Sequence, residues 1–149
     1  MEIDGARAGE VEALLPLMRG YCDFYDASPP DEGLRRMARE LIAAPDGDGM
    51  LLVARASDGR LVGFAAVGWK WSSLRAARVA IMEDLFVHPD ARGSGAGIGL
   101  VRECARRAKR HGAPCLGWTT ALDNRRAQAV YDRVGGRGEP WLEYELDLG

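Results

Sequence analysis

Between residues 87 and 100 the chain reads Val87-His-Pro-Asp-Ala-Arg92-Gly-Ser-Gly-Ala-Gly97-Ile-Gly-Leu100. The run before it, 79–87, is rich in branched and aromatic residues and reads as a strand. The run after it is a helix, with Val101, Cys104, Ala105 and Ala108 on one face. Its other face carries Arg102, Glu103, Arg106, Arg107, Lys109 and Arg110. A turn of small residues between strand and helix lets successive backbone N–H groups approach a ligand. The helix N-terminus adds partial positive charge, so the segment suits a pyrophosphate. The same residues also fit a flexible turn that holds nothing. The dinucleotide fingerprint G-x-G-x-x-G fails, because its third glycine position falls on Ile98 or on Leu100. The acid expected about 20 residues further on is also missing from 116–121. No Lys-Ser or Lys-Thr follows the last glycine, which excludes the Walker pattern.

Working outward, Val11, Leu14, Leu15 and Met18 fall at i, i+3, i+4 and i+7, an amphipathic helix that Pro16 should kink. Tyr21, Phe24 and Tyr25 extend its apolar stripe. Leu34, Met37, Ala38, Leu41 and Ile42 mark a second helix. Ser28 and Asp31 resemble its capping box, and Pro29 suits its first position. Residues 50–56 and 61–71 are apolar runs split by Ser57-Asp-Gly-Arg60, a hairpin signal. Gly112 and Pro114 stop the helix that follows the glycine-rich turn. Residues 115–121 read as a strand and 124–134 as a helix ended by Gly135-Gly136. Residues 141–148, with Leu142, Tyr144, Leu146 and Leu148 in alternation, read as a closing strand. The order is β-α-α-β-β-β-α-β-α-β: an α/β (α+β) fold with a mixed sheet and helices on its faces. The breaks at 27–31 and 44–49 are of loop length, so one domain over 1–149 is expected.

Composition narrows the function. The chain has 149 residues, 47% hydrophobic and 28% charged, which is globular usage. Twenty basic against 22 acidic residues give a net charge of −2, which argues against nucleic acid as partner. No apolar run approaches the ~20 residues of a membrane helix, and the polar N-terminus lacks a signal-peptide pattern, so no membrane association is expected. Cys22, Cys104, Cys115 and two histidines give neither a disulfide framework nor a zinc spacing. The expectation is a cytoplasmic protein without a metal.

Two motifs together make a specific match. Arg92-Gly-Ser-Gly95-Ala-Gly97 resembles the R/Q-x-x-G-x-G/A signature of the GNAT superfamily of N-acetyltransferases. Asn124-Arg-Arg-Ala127-Gln-Ala-Val-Tyr131-Asp-Arg-Val-Gly135 resembles that family's N-x-x-A-x-x-x-Y-x-x-x-G helix. The run Met82-Glu-Asp-Leu-Phe-Val-His-Pro-Asp90 is similar to its fourth strand, and the element order is the family's. The Glu83–Val87 stretch and the 21–25 region look most like the diamine (spermidine/spermine) acetyltransferase branch. Cys22 departs from that branch, where an acid would stand beside Tyr21.

The resemblance implies a mostly antiparallel sheet and acetyl-CoA as co-substrate. It implies that Leu85, Phe86 and Val87 offer backbone to the pantetheine arm, and that Arg92, Gly93, Ser94, Gly95, Ala96, Gly97 and Ile98 hold the pyrophosphate. Asn124, Ala127 and Tyr131 fall at i, i+3 and i+7 and share one helix face, which suits a contact with the cofactor. Tyr131 is the candidate acid for the departing thiolate, since a phenol pKa near 10 and a thiol pKa near 8.5 are well matched; its spacing also fits a core tyrosine. Glu83 is the candidate base for the substrate ammonium. Alternation is expected to send Glu83 and Asp84 to opposite faces. Tyr21, Tyr25, Asp26 and Glu83 are the candidate substrate residues, an acidic and aromatic set suited to a cationic amine. The expected acceptor is a small-molecule amine, with a protein amine as the other possibility; the resemblance allows a homodimer, since family members often pair, and the sequence leaves the oligomeric state open. A non-catalytic acyl-CoA sensor is the competing reading.

Overall fold

Every residue of β2 (Gly49–Arg55) is buried, as a strand covered on both faces must be. The computed structural model describes residues 1–149. β2 is flanked by β1 (Glu2–Gly5) and β3 (Leu61–Ser72), followed by β4 (Ala77–Val87) and the two-residue β5 (Leu116–Gly117). The strands lie in sequence order, antiparallel except for β5, which is parallel to β4. This is the expected mixed, mostly antiparallel sheet. The predicted 57–60 hairpin turn forms, with Gly59 at φ +85°.

Side-chain alternation splits the sheet into two faces. Leu51, Val53, Phe64 and Ala66 form one core with α1 (Val11–Phe24) and α2 (Asp31–Ala43). Leu52, Ala65 and Val67 point the other way, where α3 (Ala96–Arg110) packs on β2, β3 and β4. Leu14, Leu52, Phe64 and Leu100 are at most 1% exposed, and burying each contributes about 1.5–3 kcal/mol.

α1 runs unbroken through Pro16. α2 departs from its expected start: the cap position is Pro30 and no side chain caps it, so Ser28 plays no such part. The Arg19 guanidinium organises the entry instead, donating to the Pro29 carbonyl at 2.7 Å and pairing with Asp31. Arg55 is the one buried charge, gripped by Glu10 at 2.7 Å and Glu2 at 2.9 Å. No helix is long and apolar enough to cross a membrane.

The chain divides into two compact units, 1–119 and 120–149. The first holds the whole sheet with α1, α2 and α3. The second holds α4 (Arg125–Arg133) and the C-terminal residues. Asn124 caps α4 by accepting the Ala127 N–H at 3.2 Å. Gly135, at φ +84°, ends it, and the Gly136 N–H donates to the Tyr131 carbonyl.

Two expected elements differ. The 115–121 strand contracts to Leu116–Gly117, and the closing strand at 141–148 does not form. Trp141, Leu142, Tyr144, Leu146 and Leu148 stay 81–90% exposed. Period two describes a face that a strand can bury. The strand itself exists only through hydrogen bonds from a partner.

Candidate active site

The site grows from one irregularity in β4. Up to Met82 this strand pairs with β3 in one register, Met82 opposite Val67; from Asp84 it continues in another, Asp84 opposite Ala66. Glu83 is the extra residue, a β-bulge. Cross-strand partners share a face. Ile81, opposite Gly68, and Asp84, opposite Ala66, therefore both lie on the α1/α2 side. Counting on from Ile81 sends Glu83 there too. The two acids flank the phenol of Tyr21, whose charge state responds to both. Unbroken alternation would have separated them; the bulge cancels it, and the expectation of opposite faces is corrected.

The same strand loses its partner beyond the bulge. β5 meets β4 only at Ala80 and Ile81. Further on, the His88 N–H donates to the Val62 carbonyl at 2.8 Å, so His88 faces β3. Backbone direction alternates along a strand. Phe86 therefore also turns its backbone to β3, and the N–H groups of Leu85 and Val87 point away from it, where β5 has already ended. Of the three expected backbone contributors, Leu85 and Val87 present free N–H groups and Phe86 does not.

The strand then delivers the chain to the glycine-rich turn. His88 stiffens the exit, its Nδ1 accepting the Asp90 N–H at 3.2 Å. The Arg92 side chain folds back and donates to the Val87 carbonyl at 3.3 Å. Gly93 and Gly95 sit at φ +81° and +90°, where side chains are strained. A Cβ at either would meet no protein atom within 4 Å. The Ala96 N–H reaches Ser94 Oγ at 3.4 Å, and the Gly99 N–H closes the first helical bond to Gly95. Gly93, Gly95, Gly97 and Ile98 keep N–H groups without a protein acceptor. Open space, free donors and the α3 N-terminus together fit a pyrophosphate.

The Tyr21 hydroxyl donates to the Glu83 carbonyl at 3.1 Å. Its ring continues an aromatic row from Phe86 through Phe64 to Tyr25 and Phe24. Burial, then the Asp84 charge, push the Tyr21 phenol far up. Burial also pushes Asp84 up, Tyr21 partly offsets this, and Glu83 adds to it. Asp26 adopts φ +53° because it ends α1: the Ala27 N–H donates back to Cys22. Its carboxylate forms no ion pair. Trp69 stacks on His111 at 4.0 Å, and so packs near the α3 end. Burial pushes the Cys104 thiol up to about 12, which removes it as a nucleophile. No three His, Cys, Asp or Glu side chains converge as metal ligands.

Comparison with known proteins places this arrangement. The sequence profile described as "Acetyltransferase (GNAT) family" matches residues 15–136. The uncharacterized N-acetyltransferase YhfO of Bacillus subtilis (strain 168) is 30% identical over all of this chain and 93% of its own length. A crystal structure of a probable acetyltransferase superposes with a TM-score of 0.86, at 27% identity over 100% of this chain and 99% of that one. The aminoglycoside N-acetyltransferase AAC(6')-Iy, solved with CoA, shares the fold at a TM-score of 0.85 and 19% identity, covering 99% of this chain and 95% of that one. The chain belongs to the GNAT family of acetyltransferases. Its activity is N-acetylation at the expense of acetyl-CoA.

Proposed function

We propose that the acceptor is a small-molecule primary amine, acetylated by direct attack while amine and acetyl-CoA are bound together. One observation carries the site reading: β4 leaves the Leu85 and Val87 N–H groups unpaired on the way to a turn whose N–H groups are also free. Acetyl-CoA, when bound, supplies the thioester. Leu85 and Val87 hold its pantetheine arm and direct donors at the carbonyl oxygen. Gly93, Gly95, Gly97 and Ile98 hold the pyrophosphate, with Arg92, Ser94 and Ala96 shaping the turn. Asn124 and Ala127 set the start of α4, and Tyr131 on that helix gives its phenolic proton to the departing sulfur. A carboxylate at the β4 bulge takes the ammonium proton. Tyr21, Tyr25 and Asp26 receive the amine.

The Glu83–Asp84 pair beside Tyr21 supports a cationic acceptor, because apposed acids and aromatic faces attract ammonium groups. AAC(6')-Iy is an aminoglycoside N-acetyltransferase of the same fold, which agrees with a small molecule. The test is acetyl-CoA consumption across a panel of amines, alongside N-terminal and lysine-bearing peptides. Turnover confined to peptides would overturn the small-molecule reading. The absence of any acetyl-CoA-induced thermal shift in the native protein would remove the site assignment itself.

A further inference from the structure

We propose that Asp84 is the group that takes the substrate ammonium proton, and that Tyr21 is the positioning residue that holds it for that task. This rests on the acetyl-transfer reading above and assigns one step of it. By its place in the motif, Glu83 is the expected base. The register and burial favour its neighbour.

Asp84 lies opposite Ala66, on the face covered by α1 and α2, and is partly buried, whereas Glu83 is exposed. The bulge is tied down from outside the sheet. The Tyr21 hydroxyl donates to the Glu83 carbonyl at 3.1 Å, and Tyr21 and the Asp84 carboxylate shift each other's charge state. The groups that act on Asp84 are Tyr21 from α1 and Glu83 from its own strand. Tyr25 acts on Tyr21. The facing strand contributes Ala66, which does not titrate, and no arginine or lysine neutralises the carboxylate.

A partly desolvated carboxylate without a cationic partner holds a proton more readily than an exposed one. Burial raises Asp84 above the ordinary range, and this brings it closer to the ammonium it must deprotonate. The step balances simply. An N–H bond of the ammonium breaks, the electron pair stays on nitrogen for attack, and the proton rests on an Asp84 oxygen until solvent takes it after product leaves. Glu83, more exposed and beside it, attracts the cation to the bulge.

The test is the pH profile of kcat/KM at saturating acetyl-CoA, using the fastest of ethanolamine, lysine, 1,3-diaminopropane and kanamycin. Asp84→Asn should abolish the acid limb and lower the rate at pH 7 by about 10²–10⁴-fold. That loss should shrink towards pH 10, as free amine appears. Tyr21→Phe should move the acid limb to higher pH, because the hydroxyl no longer steadies the carboxylate charge. Glu83→Gln should move it to lower pH, because a like charge is gone. A limb that stays in place in Tyr21→Phe, or that vanishes in Glu83→Gln and survives in Asp84→Asn, overturns the assignment. If no panel amine reacts, a carbon-13 NMR titration of the Asp84 carboxyl decides. Its midpoint must rise in Tyr21→Phe, and an unmoved midpoint overturns the proposal. Acetyl-CoA thermal shifts on the same proteins separate the two failures. No shift in the native protein removes the site reading, whereas a normal shift with an unmoved limb or midpoint removes only this assignment.

Discussion

Gly20 on α1 lies against the ring of Phe86 on β4, so closely that a Cβ on the glycine would stand 2.7 Å from Phe86 Cζ. The helix thus touches the strand two residues past Asp84. Gly20→Ala brings a helix-propensity gain of about 1 kcal/mol against an overpacking cost of about 1–3 kcal/mol. The ring is held between Phe64 and α1 and cannot swing clear cheaply. We expect a net loss of stability in urea titration and a lower kcat/KM, because the ring can yield only by moving β4.

At Gly95 the obstacle is conformational. Its φ of +90° suits glycine, and the space around it is open. Gly95→Val should cost about 1–3 kcal/mol of backbone strain and abolish the acetyl-CoA thermal shift. A retained shift would show that the turn does not hold the cofactor.

For Tyr131, removal of one hydroxyl changes little volume. Tyr131→Phe should lower kcat by about 10²-fold or more while leaving acetyl-CoA affinity within a few fold, because in the proposed reaction the proton is needed only as the thiolate forms. Isothermal titration beside steady-state kinetics reads both quantities. Equal losses in both would assign Tyr131 a packing role.

Asp84 also has a stability signature. Its folded pKa lies above the unfolded value of 3.8. Below that value the group is neutral in both states, and as pH rises through the folded pKa the desolvated charge destabilises the fold. Asp84→Asn should therefore raise Tm at pH 7, with the gain disappearing below about pH 4. A variant less stable at pH 7 than the native protein would contradict the burial argument.

Arg55 carries the opposite sign. Its hydrogen bond, then its charge, hold Glu10 below the usual carboxylate range against the opposing effect of burial. The pair stabilises the protein above pH 4.5, and this stability is lost as pH falls through the folded pKa of Glu10. Arg55→Ala should cost about 3–5 kcal/mol by stranding Glu10, and acid unfolding should become shallower. Urea midpoints at pH 7 and pH 4 measure both.

Much of this was legible in the residues. The helical spacing of Val11, Leu14 and Met18, the 57–60 turn and the glycine run at 93–97 each follow from local backbone and side-chain preference. Local rules hold wherever the chain lies. The motif from Asn124 to Gly135 likewise marked a helix with its own start and stop, and Asn124 and Gly135 supply both.

What depends on a partner was not legible. Alternation placed Glu83 and Asp84 on opposite faces, and it predicted a strand from 141 to 148. The first inference failed because a one-residue slip against β3 resets the period, and only the pairing of two distant segments shows a slip. The second failed because an alternating pattern is a capacity to pair, which needs another strand to become structure. Local preference along the chain settled the helices and the glycine-rich turn. Pairing in space put both acids on the Tyr21 face and left Asp84 the more buried of the two, because register and burial belong to pairs of segments and not to either one alone.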